Sequence, residues 1–466
     1  MTAPAADTGR TIPTRRNTEL ALLLFAVVLV TGAEAVVDAN VRDKVSLQVA
    51  YYGAGFAALW LVAHVVVRKV APYADPVLLP IAALLNGLGL VLIYRVRLAT
   101  KGRKYPSADP KQQVVWMVVG LVFFIAVLLI IRNHRVLSRY AYTLAALGLA
   151  LLIMPAILPA RFSEVNGARV WIRVGGLSIQ PGEFAKLCLL VFFAAYLVDK
   201  RDVLSLASRR FLGLALPRGR DLGPVLVAWL ASVAVLVRET DLGMSLLFFG
   251  MFVALLYIAT ERTSWLVIGL GLFAGGAFLA YHLFGHVQDR VSIWLHPDQF
   301  YNTVYPNSYQ LMQGLFGMGT GGLFGTGLGQ GYPQLVPFAE SDFIIATVGE
   351  ELGLFGLVAV LVLYGLFVMR GFRIAMSVRD PFGKLLTAGL SVSMGLQVFV
   401  IVGGVTKLIP LTGLTTPFLS YGGSSLVANF GLMALLLRVS DASRRPAVQA
   451  PPKSPLAQAM TEVVTR

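Results

Sequence analysis

Two oppositely charged residues, Glu183 and Lys186, stand at the start of an apolar stretch, within residues 180–186. They are three positions apart, so a helix would place both side chains on one face. Pro181 suits the first helical turn, and Glu183 would then lie near the positive end of the helix dipole. The pair is either a structural ion pair at the mouth of a helix or part of a polar surface that lines a cavity. Arg169, a few residues earlier, would contribute to the same surface.

A single carboxylate, Asp298, interrupts the long stretch between Arg290 and Glu340. A carboxylate can accept a proton from an attacking hydroxyl, particularly when partial burial raises its pKa. Its aromatic and polar neighbours, from Trp294 onward, are compatible with such a site. Asp298 is therefore a candidate general base, and the competing interpretation is a solvated aspartate in a loop.

A third group of residues surrounds the entrance of the last apolar stretch. Lys407 could hold a phosphate as a point charge, or its ammonium could extend to lipid headgroups. Proline, glycine and hydroxyl residues between 416 and 425 permit close packing and an irregular backbone beside a polar cavity.

The glycine-rich segment 317–331 formally matches G-x-G-x-x-G, but no strand precedes it. Glycine lets a backbone turn sharply and approach other groups closely. This pattern therefore predicts a compact loop and not a dinucleotide site.

The elements that must position these residues are membrane helices. The chain is 57% hydrophobic and 14% charged, whereas soluble domains carry about 25% charged residues. A membrane span needs roughly 20 mostly apolar residues. Twelve stretches qualify, and they predict an all-α, polytopic integral membrane protein: 19–38, 48–67, 77–96, 113–131, 140–158, 184–198, 225–237, 242–260, 264–284, 343–369, 385–405 and 421–438.

Lysine and arginine predict the orientation, because they concentrate in cytoplasmic loops. They are most frequent on the inner side when both termini are cytoplasmic, which places loops 159–182 and 285–342 outside. The tails 1–17 and 439–466 are expected to be disordered. The net charge of +15 fits contact with anionic membrane lipids, so no nucleic-acid partner is expected. Cys188 is the single cysteine, which excludes an intrachain disulfide.

Several blocks of the chain resemble the SEDS (shape, elongation, division and sporulation) family, the RodA/FtsW peptidoglycan glycosyltransferases, and the last block is more similar to the RodA form. In chain order they are Gly167-Ala168-Arg169 with Trp171, residues 180–186, Asp241-Leu242-Gly243, Tyr309-Gln310 with Gln313, Asp342-Phe343 with residues 349–353, and the signature Pro417-Phe418-Leu419-Ser420-Tyr421-Gly422-Gly423-Ser424-Ser425. The resemblance covers residues 77–438. It implies a ten-helix catalytic core there, and two additional helices in 18–76, as in actinobacterial members.

The resemblance also implies a function in the bacterial plasma membrane. Such proteins polymerise lipid II into glycan strands during cell elongation, release undecaprenyl pyrophosphate, and work with a class B penicillin-binding protein. The family's catalytic aspartate is carried over to Asp298, although His296-Pro297 replaces the family's first Asp-Pro element.

Cationic groups should stabilise the charge that develops on a pyrophosphate leaving group. Arg169, Lys186 and Lys407 are the candidates, with Glu183 orienting Lys186. Matching family blocks add Gln310, Ser420 and Ser424 as substrate-binding residues. A divalent cation, Mg²⁺ or Mn²⁺, is a further candidate, and no organic cofactor is expected.

Two other functional classes stay open at this point. A lipid II flippase or secondary transporter would also have twelve spans with both ends inside, and buried charges suit an ion-coupled pathway. A non-catalytic scaffold for a transpeptidase is the third class. Polar residues that gather on one face, away from the bilayer midplane, favour the enzyme.

Overall fold

The computed structural model describes residues 14–100, 108–164, 169–174, 177–201, 209–211, 214–216, 230 and 241–446. It confirms an all-α chain. The helices are α1 (Arg16–Arg42), α2 (Leu47–Val70), α3 (Leu78–Ala99), α4 (Pro110–Ile130), α5 (Val136–Arg139), α6 (Ala141–Ile157), α7 (Ala160–Ser163), α8 (Pro181–Asp199), α9 (Leu242–Thr260), α10 (Ser264–Leu283), α11 (Gly285–Leu295), α12 (Tyr309–Gly321), α13 (Ile344–Ser377), α14 (Pro381–Val405) and α15 (Gly423–Arg444).

Strands are confined, among these residues, to two short antiparallel hairpins. In the first, β1 (Ile172–Val174) pairs with β2 (Leu177–Ile179), with Arg173 opposite Ser178. In the second, β3 (Arg209–Phe211) pairs with β4 (Leu214–Leu216), with Arg210 opposite Ala215. The first hairpin leads directly into α8 and therefore fixes where that helix begins.

Ten of the described helices are long and apolar enough to cross a membrane, and α6 is a shorter apolar helix. Eleven of the twelve predicted spans thus correspond to helices, and the chain is a multi-pass membrane protein. The seventh predicted span, 225–237, lies outside the described residues apart from residue 230. Helix α15 continues to Arg444, six residues into the predicted tail 439–466.

The core is centred on α15, whose apolar window is completely buried. It packs against α4 and α8, and α14 packs against α8, α9 and α13. By contrast, only 6% of the α10 window is buried inside the protein. Since lipid replaces protein around an exposed apolar helix, α10 lies at the edge of the bundle.

The two N-terminal helices pack against this core and are tied to it by polar groups. Helix α1 contacts α2 and α3, and α2 contacts α4. Glu19 accepts from Arg16 and lies 2.7 Å from the His64 ring, and Arg16 also donates to the Ala74 carbonyl. At the other end of α1, Asn40 donates to the carbonyl of Leu328.

The first five residues of the glycine-rich segment, 317–321, end helix α12, and the rest of it folds as the predicted compact loop against a kink in α13. Gly353 interrupts that helix with a φ of 67°, and a Cβ there would lie 2.2 Å from the Gly325 nitrogen. The loop pairs with the kink through backbone hydrogen bonds, including Leu354 to Gly322. Glu351 joins this structure to α3 through an ion pair of 2.8 Å with Arg95. Only glycine satisfies both the backbone angle and the close approach at position 353.

Candidate functional site

Five segments that are distant in sequence meet at one end of the helix bundle, called here the site end. Gln113, near the start of α4, donates to the Ser420 carbonyl, and Tyr421 donates to Gln112. Gln180, before α8, donates its backbone N–H to Ser424. Arg290 of α11 donates to the Leu411 and Thr412 carbonyls. The predicted outer loops therefore lie together on one side of the bundle.

Glu183 and Lys186 form a buried ion pair at this end. The Lys186 Nζ lies 2.8 Å from Glu183 Oε2 and 2.9 Å from Gln397 Oε1, and both charged side chains are 1% exposed. Gln397 in turn donates to the Thr415 carbonyl. The shared helical face is thus confirmed. Since Lys186 already has a carboxylate and an amide oxygen as partners, its charge is balanced by the protein.

Asp241 lies beside this buried pair and begins α9. Its Oδ1 accepts the Met244 N–H at 2.9 Å, as an N-cap does, and its Oδ2 lies 3.3 Å from the Gln180 side-chain nitrogen. Burial raises the pKa of the Asp241 carboxyl to about 6; the Met244 N–H and the charge of Arg290 oppose that shift, whereas Glu183 reinforces it. Asp241 therefore connects the buried pair to the cation on α11.

Arg290 interacts electrostatically with two carboxyl groups, those of Asp241 and Asp342. Burial lowers the pKa of its guanidinium, and the negative charges of these two aspartates act in the opposite direction. Burial raises the pKa of Asp342 to about 7, opposed by the Ser341 hydroxyl and by Arg290. Asp342 consequently exchanges its proton near neutral pH.

Lys407 lies at the same end with its backbone held in place. Its φ is 62°, and its carbonyl accepts the Trp294 Nε1–H of α11 at 3.0 Å. No hydrogen bond or ion pair joins its ammonium to another described residue. This cation is therefore available to a ligand, unlike that of Lys186.

Asp298 lies in a turn just after α11 and its side chain is exposed. Backbone hydrogen bonds from Gln299 to His296 and from Phe300 to Pro297 fix that turn. The partial burial that would favour a general base is absent, and the exposure matches the loop aspartate of the competing interpretation. The assignment as base stays a prediction, and its carboxylate is accessible to a substrate hydroxyl.

Arg169 also lies outside the buried cluster. Its Nε is 3.3 Å from Glu164 Oε2, and the two side chains are 50% and 40% exposed. An exposed ion pair of this kind is weak, because water screens it and both side chains lose rotational freedom. Arg169 can therefore turn toward another anion at small cost.

Three other predicted binding residues bond the protein backbone. Gln310 donates to the Pro337 carbonyl at 2.8 Å. Ser420 donates to the Ser341 carbonyl at 2.6 Å and accepts the Thr416 N–H, while Ser424 accepts the Gln180 N–H at 2.7 Å. These contacts hold the site-end segments together, and the role of these residues toward a substrate stays a prediction.

Gln397 and Arg290 complete the cluster, and neither of them was predicted from the sequence as a site residue. Gln397 is a buried amide within the apolar helix α14. A polar side chain inside a span usually has a polar partner, so its presence in the sequence was a signal of such a contact. Arg290 is the only lysine or arginine between Arg262 and Arg370 in the sequence. Its isolation could have marked it as a partner for the aspartates around it.

The described donor groups do not form a metal site. Among the described ranges, no three His, Cys, Asp or Glu side chains are grouped closely enough to hold an ion. Asp241 and Asp342 both interact with Arg290, which competes for their negative charge.

A bundle of apolar spans with charged groups gathered at one end is a multi-pass membrane protein with a polar site at the ends of its spans. A family model described as a cell cycle protein, FtsW/RodA/SpoVE, matches residues 75–445. The chain belongs to this family, as its sequence blocks indicated.

Curated relatives extend the similarity over the whole chain. The peptidoglycan glycosyltransferase RodA of Mycobacterium tuberculosis H37Rv is 51% identical over 470 residues, covering 100% of this chain and 99% of the relative. That of Mycobacterium leprae is 49% identical over 467 residues, covering 99% and 98%. The shared region thus includes α1 and α2.

Solved structures share the architecture. The crystal structure of Thermus thermophilus RodA, a rod shape determining protein, matches with a TM-score of 0.56 and 26% identity, covering 80% of this chain and 98% of that one. A chain of a peptidoglycan synthase complex, studied for the coordination of polymerization and crosslinking, matches with a TM-score of 0.53 and 26% identity, covering 84% and 97%.

Proposed function

We propose that this chain is a peptidoglycan glycosyltransferase that polymerises lipid II into glycan strands in the bacterial plasma membrane. The sequence identity of 51%, over the full length, to a relative named peptidoglycan glycosyltransferase RodA carries the proposal. The site end supports it, because charged and amide groups collect at one end of a bundle whose exposed surface is apolar. Such a surface suits a substrate with a polyprenyl tail and a charged, sugar-bearing head.

The reaction forms a bond between the acceptor 4-hydroxyl oxygen and the anomeric carbon of the growing strand. Asp298 accepts the hydroxyl proton as that bond forms. The bond between the anomeric carbon and undecaprenyl pyrophosphate breaks, and its electron pair leaves with the pyrophosphate. The accessibility of Asp298 after the anchored helix α11 supports this role.

The negative charge of the leaving pyrophosphate is stabilised by cations that the protein has not already neutralised. Lys407 has no described partner for its ammonium, and Arg169 has only an exposed one. Lys186 is balanced by Glu183 and Gln397, so it would need to break both contacts to bind phosphate. The buried pair therefore positions the mouth of α8, and Lys407 and Arg169 contact the substrate.

The orientation and the partner follow from the same proposal. On this proposal the site end faces the outer side and both termini are cytoplasmic, an orientation that places most lysines and arginines inside. The basic loop from Arg97 to Lys111 is the exception, since it lies outside. A class B penicillin-binding protein is the partner that crosslinks the strands. The similarity to a chain of a peptidoglycan synthase complex supports that partnership.

The test is polymerisation of labelled lipid II by the purified full-length protein together with its penicillin-binding protein. Asp298→Asn should lower the rate by about 10²–10⁴-fold, as expected when a general base is lost. Asp289→Asn is the matched control, since Asp289 lies in the same region and accepts from Tyr305.

Each outcome separates one part of the proposal from another. If both variants make glycan strands, the chain is a polymerase but Asp298 is not its general base. A wild-type protein that makes no strands, but moves labelled lipid II between the leaflets of protein-containing vesicles, would establish the flippase alternative instead.

A further inference from the structure

A second charged concavity lies at the end of the bundle opposite the site end. Helix α4 begins at the site end, where Gln113 contacts Ser420, and it ends at Ile130. Its 21 residues span about 30 Å at 1.5 Å per residue, so Arg132 lies a full membrane thickness away. There, the ends of α4, α13, α14 and α15 enclose a cleft of about 510 Å³, called here the arginine cleft.

Four arginines and two aspartates line the arginine cleft: Arg132, Arg135, Arg379, Arg445, Asp380 and Asp441. Their formal charges leave an excess of two positive charges. His134 also lines it, and burial lowers the pKa of that imidazole, so it adds little positive charge near neutral pH. The cleft is therefore a basic cavity.

Both aspartates already have hydrogen-bond and ion-pair partners within the protein. Asp380 caps α14 by accepting the Gly383 N–H at 2.8 Å, and it lies 3.0 Å from the His134 ring. Asp441 is 1% exposed and accepts the Tyr73 N–H and the Arg445 guanidinium. These carboxylates fix the ends of helices and neutralise two of the arginines.

The remaining two arginines have no such partner. Arg132 and Arg379 are exposed, and within the described ranges no ion pair or hydrogen bond involves their guanidinium groups. They come from different parts of the chain, one after α4 and one before α14, yet both line the same cleft. Two unneutralised cations facing one cavity are arranged to bind an anion.

The position of the cleft limits which anion fits. It lies where four helices end, three of which are long apolar spans and the fourth the buried α15, so it is at the level of lipid headgroups. Basic pockets between membrane helices bind the phosphates of anionic lipids. A single phosphodiester carries one negative charge, whereas the cleft has an excess of two positive charges and about 510 Å³ of space.

We propose that the arginine cleft binds the headgroup of an anionic glycerophospholipid that carries two phosphodiesters, as diphosphatidylglycerol does. Arg132 and Arg379 each contact one phosphate, and Arg135 and Arg445 stay paired with the aspartates. The bound lipid joins the ends of α4, α13, α14 and α15 from the leaflet that faces away from the site end. This site is independent of the polymerase reaction.

The test is native mass spectrometry of the full-length protein in detergent, titrated with diphosphatidylglycerol, phosphatidylglycerol or phosphatidylcholine. The wild type should bind one diphosphatidylglycerol in preference to the other two. Arg132→Gln together with Arg379→Gln should weaken that binding on the order of 30-fold, since each arginine near anionic lipid contributes about fivefold. Both residues are exposed, so the variant should fold.

The matched control is Arg139→Gln together with Lys384→Gln. These residues are also exposed, lie four residues from Arg135 and Asp380 in the sequence and remove the same charge, but they do not line the cleft. The control should keep wild-type binding. Equal weakening in both double variants would show general attraction to the basic end and overturn the proposal. So would equal binding of phosphatidylglycerol, or displacement of the lipid by millimolar inorganic phosphate, which would indicate a soluble phosphate ligand.

Discussion

Two ion pairs near the start of α8 differ sharply in how the protein treats their charge. Glu183 and Lys186 are 1% exposed and share Gln397, whereas Arg169 and Glu164 are 50% and 40% exposed and share no other described partner. A buried charge is costly unless it is paired and hydrogen-bonded, and an exposed one is solvated whether or not it is paired. The first pair is therefore part of the scaffold, and the second is free to respond to a substrate.

Breaking the buried pair should have the largest effect on stability. Lys186→Met leaves the Glu183 carboxylate buried with no cation, which typically costs about 3–5 kcal/mol. We expect a large fall in the thermal midpoint of the detergent-solubilised protein. The measurement is unfolding followed by intrinsic fluorescence.

The double variant Glu183→Gln with Lys186→Met provides the control. It removes both charges, and replacing a buried pair by neutral groups of similar size is often close to neutral for stability. Most of the lost stability should return, with a coupling energy between the two sites. Additive losses would show that the two side chains do not depend on each other.

The aspartates beside Arg290 should give a smaller, pH-dependent effect. Burial raises the pKa of Asp342 to about 7 and that of Asp241 to about 6, so the folded state holds these protons more tightly than the unfolded chain. The resulting stability is present below pH 4 and is lost as the pH rises through 6 and 7, at no more than about 1.4 kcal/mol per pH unit for each proton.

Asp342→Asn should therefore flatten the fall in thermal midpoint between pH 5 and pH 8. Adding Asp241→Asn should flatten it further, because asparagine still caps α9. The two carboxyls share Arg290, so they titrate as a pair. An unchanged slope in the double variant would show that other groups set the pH dependence.

Local patterns in the sequence were enough for the helices and for contacts between near neighbours. Apolar length predicted eleven described helices, and the spacing of Glu183 and Lys186 predicted their common face. Both depend on regular helical geometry, which repeats every few residues. The glycine-rich segment was interpretable for the same reason, because its backbone freedom is a local property.

Contacts between segments that are distant in sequence could not be predicted from such local patterns. Gln397 lies 211 residues from Lys186, and Arg290 meets carbonyls more than 120 residues away. Their positions depend on how the helices pack, which the pattern of a single span does not specify. The exposure of Asp298 was one of two interpretations that the sequence left open, whereas the contact of Trp294 with the Lys407 carbonyl, which holds α11 before it, was not predicted.

The exposed pair should show the smallest effect on stability and a separate effect on activity. Arg169→Gln removes a solvated ion pair, which contributes about 0–1 kcal/mol, so the thermal midpoint should hardly change. If Arg169 binds the pyrophosphate of lipid II, the same variant should raise KM in the polymerisation assay. Glu164→Gln breaks the same pair but keeps the cation, so it should leave KM unchanged or lower it. Equal KM values in the two variants would mean that the ion pair itself matters, and that the difference between the buried and the exposed pair does not extend to substrate binding.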